Sequence, residues 1–186
     1  GCRIDHDEHS PPEVGRAYSR AMLRRLLMVV AVLSVGVGVS PAAADSDLVI
    51  KVAHPAVTAN LHAVTPGVAS PGDIRTFYAK LTKPGKSARI GFMTGSLLTT
   101  EVGKPSAGKE YRTADLVFTI GKARNQLIVG GAAVYQQQAP TVAERTTVVR
   151  PVTGGSGKYD GARGWCESIH RKDGTWRHTF HVQVRT

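Results

Sequence analysis

The sequence predicts an all-β domain of about eight strands, closed into an antiparallel up-and-down barrel. Three observations carry that expectation. From Asp45 onward no stretch sustains a helical period, whereas apolar and β-branched residues recur in short runs separated by Gly, Pro, Asn and Asp. The last run, Thr175 to Arg185, alternates cleanly, with Trp176, His178, Phe180, Val182 and Val184 on one side and Arg177, Thr179, His181, Gln183 and Arg185 on the other. That is a strand with one buried and one wet face. The connections hold no helical segment, which fits a meander, and closure of a meander removes its exposed edges. A two-sheet sandwich is the alternative arrangement of the same strands.

Taken in order, the first strand is Leu48 to Ala53, followed by an irregular segment containing Pro55, Pro66, Gly67, Pro71 and Gly72. The second, Ile74 to Leu81, ends at the Pro84-Gly85 turn signal. In the long third strand, Ala88 to Glu101, Gly91 and Gly95 mark a bend or bulge where the sheet curls. Tyr111 to Ile120, Gln126 to Tyr135 and Arg145 to Val152 follow, the first two separated by the turn from Gly121 to Asn125. A Gly-rich link, Thr153 to Gly164, leads to Trp165 to His170 and then to the final strand.

The chain has 186 residues and is 41% apolar, enough for one domain with a real core. Its leader has three zones: Met22-Leu23-Arg24-Arg25 is basic, Leu26 to Val39 is apolar, and Pro41-Ala42-Ala43-Ala44 offers an A-x-A cleavage site. Residues 22–44 therefore read as a signal peptide, cleaved after Ala44, and the mature domain as 45–186, secreted and extracellular. An apolar run of about 14 residues is shorter than the roughly 20 that a membrane-spanning helix needs, so no transmembrane anchor is expected after processing. Residues 1–21 are polar, precede the first methionine and read as an unstructured upstream extension. The domain keeps 19 of the 24 basic and 10 of the 14 acidic residues, a formal charge of +9. Its densest basic stretch, Lys80, Lys83, Lys86 and Arg89, fringes Pro84-Gly85, so it reads as an exposed hairpin loop and not as a specific nucleic-acid site. Cys166 is the one cysteine of the domain, so no internal disulfide forms there, and it reads as a buried apolar residue.

The Gly-rich link reads Val152-Thr153-Gly154-Gly155-Ser156-Gly157-Lys158-Tyr159-Asp160-Gly161-Ala162-Arg163-Gly164. It is not a phosphate loop: the Walker pattern needs Gly at position 152 and Ser or Thr at 159, where this chain has Val152 and Tyr159. A second block runs Ser70-Pro71-Gly72-Asp73-Ile74 through Phe77 and Leu81, then Arg89-Ile90-Gly91 and Gly95. In both blocks the chain resembles the allene oxide cyclase and dirigent barrel superfamily, and Asp173 to Phe180 is similar to its bacterial secreted members. The resemblance spans most of 45–186. It implies an eight-stranded barrel, a homotrimer, a lumen that binds an apolar small molecule, and catalysis by orientation without a cofactor. It also implies departures from the plant cyclases. Leu48 to Gly72 holds no Asp or Glu where they carry a first-strand Glu; their cavity Cys falls at about Leu97 and their cavity Tyr near Ala133. Allene oxide cyclisation itself is therefore not expected.

Few side chains are candidates for chemistry. His178 lies on the apolar face of the last strand, either as a hydrogen-bonded core histidine or as a catalytic imidazole. Asp115, midway along an apolar strand, is a general acid or base if desolvation raises its pKa, or a solvent-facing residue if it points out. Arg75, which shares strand parity with Phe77, and Phe77, Leu97 and Tyr135 are candidates for ligand contact. No metal site is expected, because His178 and His181 point to opposite faces and His170 lies beyond a turn. The expected function is a secreted barrel that binds a hydrophobic small molecule in its lumen and steers its isomerisation, cyclisation or coupling. The alternative is a noncatalytic envelope-associated module that uses its basic surface. Fold analogy alone adds an accessory cyclase for a secreted natural product.

Overall fold

The computed structural model describes residues 45–185. The upstream extension 1–21 and the signal peptide 22–44 expected from the sequence lie outside the described residues. The described chain forms β1 (Asp45–His54), β2 (Asn60–His62), β3 (Ile74–Thr82), β4 (Arg89–Val102), β5 (Lys109–Ile120), β6 (Gln126–Gln136), β7 (Thr147–Ser156), β8 (Arg163–His170) and β9 (Trp176–Arg185). A single 3-10 turn, Gly157–Tyr159, follows β7. The strands make one sheet in the order β1-β9-β8-β7-β6-β5-β4-β3-β2, and β1 also pairs with β3 where Ala53 faces Thr82. Every pairing is antiparallel. The β1–β3 contact closes the sheet, so the fold is an eight-stranded up-and-down barrel and not the sandwich.

The short β2 carries no sequence signal, because its three residues are all exposed and show no alternation. It pairs with the beginning of β3, Asn60 opposite Thr76 and His62 opposite Ile74, whereas the end of β1 reaches the other end of β3. β1 and β2 are thus two halves of one wall strand, interrupted after His54 by Pro55, which has no N–H to give a ladder. The Gly-rich stretch also differs from the expected link. Thr153–Ser156 continue β7, and only then does the chain turn. Gly157 makes that turn at φ 63°, and a Cβ there would press on the Arg124 carbonyl.

A bulge does border Gly91: Leu81 pairs with Gly91 but Thr82 with Arg89, so Ile90 is the extra residue of β4, whereas Gly95 stands in regular register and a second irregularity falls between Thr99 and Glu101. The two glycines also serve close approach. A Cβ at either would collide with a carbonyl oxygen of β5, Thr119 or Asp115.

Strict inside/outside alternation gives the barrel two unlike ends. Leu81, Phe118, Leu127, Val129 and Phe180 are fully buried and fill the end where β3, β5 and β9 finish. Phe118 and Phe180 meet edge to face at 4.9 Å between ring centroids. Tyr159 and Ala162, beside the Gly157 turn, are buried in the same cluster. The opposite end, where β3, β5, β7 and β9 begin, buries Asp73, Arg75, Glu110, Arg112, Arg150 and His178.

The wall is not hydrogen-bonded all the way round. Pairing of β6 with β7 stops at Val129 opposite Val152, and beyond it β6 pairs only with β5 and β7 only with β8. Pro151, without an N–H, stands next to that stop. Residues 137–146 form a strap beside this seam, with the non-glycine residues Gln138 and Arg145 in the left-handed region at φ 62° and 61°.

Because Gly91 touches backbone and Gly154 touches nothing within 4 Å, Gly91→Ala is expected to lower stability by about 3 kcal/mol while Gly154→Ala leaves it within about 0.5 kcal/mol, read as urea unfolding midpoints.

Candidate functional site

Between the two ends the barrel keeps a cavity that leaves about 80 Å³ to the centres of water-sized molecules. Phe77, Met93, Leu97 and Leu116, from β3, β4 and β5, form its apolar wall. Val57 and Ala59 from the interrupted β1–β2 segment and Pro140 and Thr141 from the strap complete its mouth. Polar side chains reach it from five strands: His54 of β1, Tyr135 of β6, Arg150 of β7, Ser168 of β8 and His178 of β9. They converge because each falls on the inward parity of its strand.

Beneath the strap lies a buried ionic cluster. Glu110 Oε1 accepts a hydrogen bond from Arg112 Nε at 2.5 Å and one from Thr99 Oγ1 at 3.4 Å, and it stands 3.7 Å from Arg75 Nη1. Its Oε2 accepts from the Gln138 N–H of the strap, and Arg112 Nη2 donates to the Ala139 carbonyl at 2.6 Å. Burial, together with the neighbouring Arg75 charge, lowers the Arg112 pKa, and Glu110 opposes that shift. Asp73, also buried, accepts from the Val64 and Ser70 N–H groups and so folds the segment before β3 over this end.

The guanidinium of Arg112 sits 4.3 Å from the centroid of the Tyr135 ring, and the Tyr135 hydroxyl accepts from Arg150 Nη2 at 2.7 Å. That second bond spans the seam between β6 and β7. Two cations thereby fix one phenol, on its face and at its oxygen, and leave the O–H free to donate. His178 Nδ1 and Ser168 Oγ are 2.8 Å apart, while Nε2 is buried with no partner among the described residues. Depending on the tautomer, Nε2 is a donor or a base toward the cavity. Burial pushes the His178 pKa well below 6.5, with the charges of His54 and Arg150 adding to the effect, so the ring is neutral at physiological pH. Aromatic neighbours hold it in place: His54 stacks at 5.1 Å, Phe118 meets it edge on at 4.9 Å, and Trp176 continues the stack to His170. Cys166 is buried, its thiol pushed up to about 12 by that burial, and it is no nucleophile. Among the described residues no group of three or more His, Cys, Asp or Glu side chains is arranged to hold a metal ion.

The residues expected from sequence divide by face. His178, Phe77, Leu97 and Tyr135 line the cavity. Arg75 is buried but turns to Thr99 and Glu110, below the cavity and not on its wall. Asp115 is exposed on the outer face between Ser96 and Gly130, so it does not reach the lumen. The sequence reading missed Arg150, Ser168, Glu110 and Arg112. A signal existed for three of them: Arg150 alternates with Val148 and Val152, and Glu110 and Arg112 share parity with Ala114, Leu116 and Phe118.

No protein-family model matches the sequence, and no curated protein matches it. Solved structures do match the fold. A pyocyanin demethylase aligns at a TM-score of 0.56 and 14% identity over 73% of this chain and 99% of its own. The Diels Alderase AbmU from Streptomyces koyangensis aligns at 0.56 and 16% over 76% and 69%. The pterocarpan synthase dirigent protein GePTS1 aligns at 0.55 and 14% over 76% and 90%. The fold is thus that of the dirigent and cyclase barrels, as the Gly-rich and Ser70–Asp73 blocks imply.

Glu110→Gln leaves Arg75 and Arg112 buried together without an anion, and is expected to cost about 3–5 kcal/mol in chemical denaturation. Because the folded His178 pKa lies below 6.5, the unfolded chain binds the proton first, and stability present above that pH falls as the pH drops below it. His54, lowered mainly by burial, acts in the same direction. Urea midpoints between about pH 8 and pH 5 should fall toward acid, and His178→Asn should flatten the slope.

Proposed function

We propose that this protein is a secreted barrel that takes a hydrophobic small molecule into its lumen and steers the isomerisation, cyclisation or coupling of that molecule without a cofactor. One observation carries the reading: between its two filled ends the interior keeps a cavity with a mostly apolar wall, on which polar side chains from five strands converge. A noncatalytic module acting through its basic surface needs no such cavity. The Diels Alderase and dirigent names of the structural neighbours support a reaction governed by how a reactive molecule is held.

The chemistry follows from the walls. Phe77, Met93, Leu97 and Leu116 exclude water and limit the shapes a flexible molecule adopts, and such orientation alone supplies up to about 7–11 kcal/mol of a barrier. The neutral His178 can take or return a proton at Nε2, and the Tyr135 hydroxyl can donate to an oxygen that gains charge. Leu97, at the position of the plant cyclases' cavity Cys, presents only hydrocarbon, so allene oxide cyclisation is not the reaction proposed. Secretion rests on the leader, residues 22–44, and a homotrimer on the sequence resemblance.

Native mass spectrometry of the secreted protein after incubation with extracts of its source should show one retained apolar molecule per subunit, and reads the subunit number as well. Leu97→Trp, which fills the cavity, should abolish retention with the fold intact; retention unchanged in that variant overturns the lumen as the site. The mature N-terminus from a secreting host is expected at Asp45, and a start upstream of residue 40 overturns the leader.

A further inference from the structure

Three guanidinium groups enter the polar end of the lumen, from Arg75, Arg112 and Arg150, and all three residues are at most 4% exposed. Two carboxylates accompany them. Asp73 spends both oxygens on backbone N–H groups, and Glu110 pairs with Arg75 and Arg112. Arg150 makes no ion pair among the described residues; its one hydrogen bond goes to the neutral Tyr135 hydroxyl, and its Nε has no acceptor. It is also the one of the three that lines the cavity. A buried cation without an anion costs several kcal/mol, a cost that the protein's own residues leave uncompensated.

The other polar atoms of the cavity complete the pattern. Tyr135 and His178 line the same cavity as Arg150: the Tyr135 hydroxyl stands at the Arg150 guanidinium, and His178 adds a tautomer-adjustable Nε2 with no partner among the described residues. Stacked rings of His54 and Trp176 and the apolar wall of Phe77 and Leu116 enclose the rest. The cavity is small, about 80 Å³, and open at its mouth. We infer that the lumen is selective for a small unsaturated molecule carrying an anionic oxygen, a carboxylate or a phenolate, which docks on Arg150 and Tyr135 while its apolar body lies against Phe77, Leu97 and Leu116. This assignment rests on the lumen-binding reading above and narrows it from hydrophobic molecules in general to acidic ones.

The test is isothermal titration of the secreted protein with two matched pairs: cinnamate against cinnamamide, and 4-nitrophenol, above its own pKa, against nitrobenzene. The wild type should prefer at least one anion over its neutral partner by about tenfold or more, and the pair that shows it identifies carboxylate or phenolate as the source. Arg150→Met should bring that ratio to about one, keep the affinity for the neutral partner, and leave the free protein's melting temperature equal or higher, because it removes an unpaired buried charge. Arg150→Lys should retain part of the preference. Equal affinity within both pairs overturns the anion assignment and leaves lumen binding standing. A preference that survives in Arg150→Met, or a free protein that melts lower with that substitution, makes Arg150 structural and also overturns the assignment. Binding of none of the four probes overturns both readings.

Discussion

Glu110 is the anion around which the polar end of the barrel is organised. Its carboxylate joins Arg75 on β3, Arg112 and Thr99 on β5 and β4, and the Gln138 N–H of the strap, so four parts of the chain converge on two oxygen atoms. Arg112 then reaches the Ala139 carbonyl and the face of Tyr135, and Tyr135 holds Arg150. The geometry of the cavity is therefore transmitted from one buried carboxylate through a phenol to the guanidinium that lines the cavity. A charge without a counter-ion is costly in a dry interior, and this chain of contacts fixes in place Arg150, the buried arginine that has no ion pair among the described residues.

The two ends of the barrel are held by unlike chemistry. Phe118, Phe180, Leu81 and Leu127 close one end with hydrocarbon, and the Gly157 turn sets Tyr159 and Ala162 into the same cluster. Burial of that surface supplies the favourable term that lets the other end retain buried polar groups and a cavity. His178 sits where the two regions meet, touching Phe118 on one side and the cavity on the other, which explains both its neutrality and its fixed orientation.

Much of this was legible in the sequence because a strand has a period of two. The alternation from Trp176 to Val184 placed His178 inside, and the Gly-rich and Ser70–Asp73 blocks pointed to the barrel. The same parity, applied to β5, separates Asp115 from Ala114 and Leu116 and sends it outward, while Arg112 and Glu110 go in. Arg150 between Val148 and Val152 follows the same rule. Charge at those positions disguised an inward face, since burial of a cation is not expected until its partners are known. Pairings between distant segments, such as Glu110 with Gln138 or Tyr135 with Arg150, and the short exposed β2 leave no local pattern to read.

The seam between β6 and β7 gives the wall an adjustable width. Past Val129 and Val152 no ladder bond joins the two strands, so their separation is governed by side chains and by the strap, and a wider or narrower cavity requires no sheet hydrogen bond to break. Heritable change in cavity width can then be confined to residues 137–146 and the strand ends they cover, with the Phe118 end untouched. In such a molecule the shape of the interior is reset by exchange of one connecting segment, and the barrel is a chassis that tolerates the exchange.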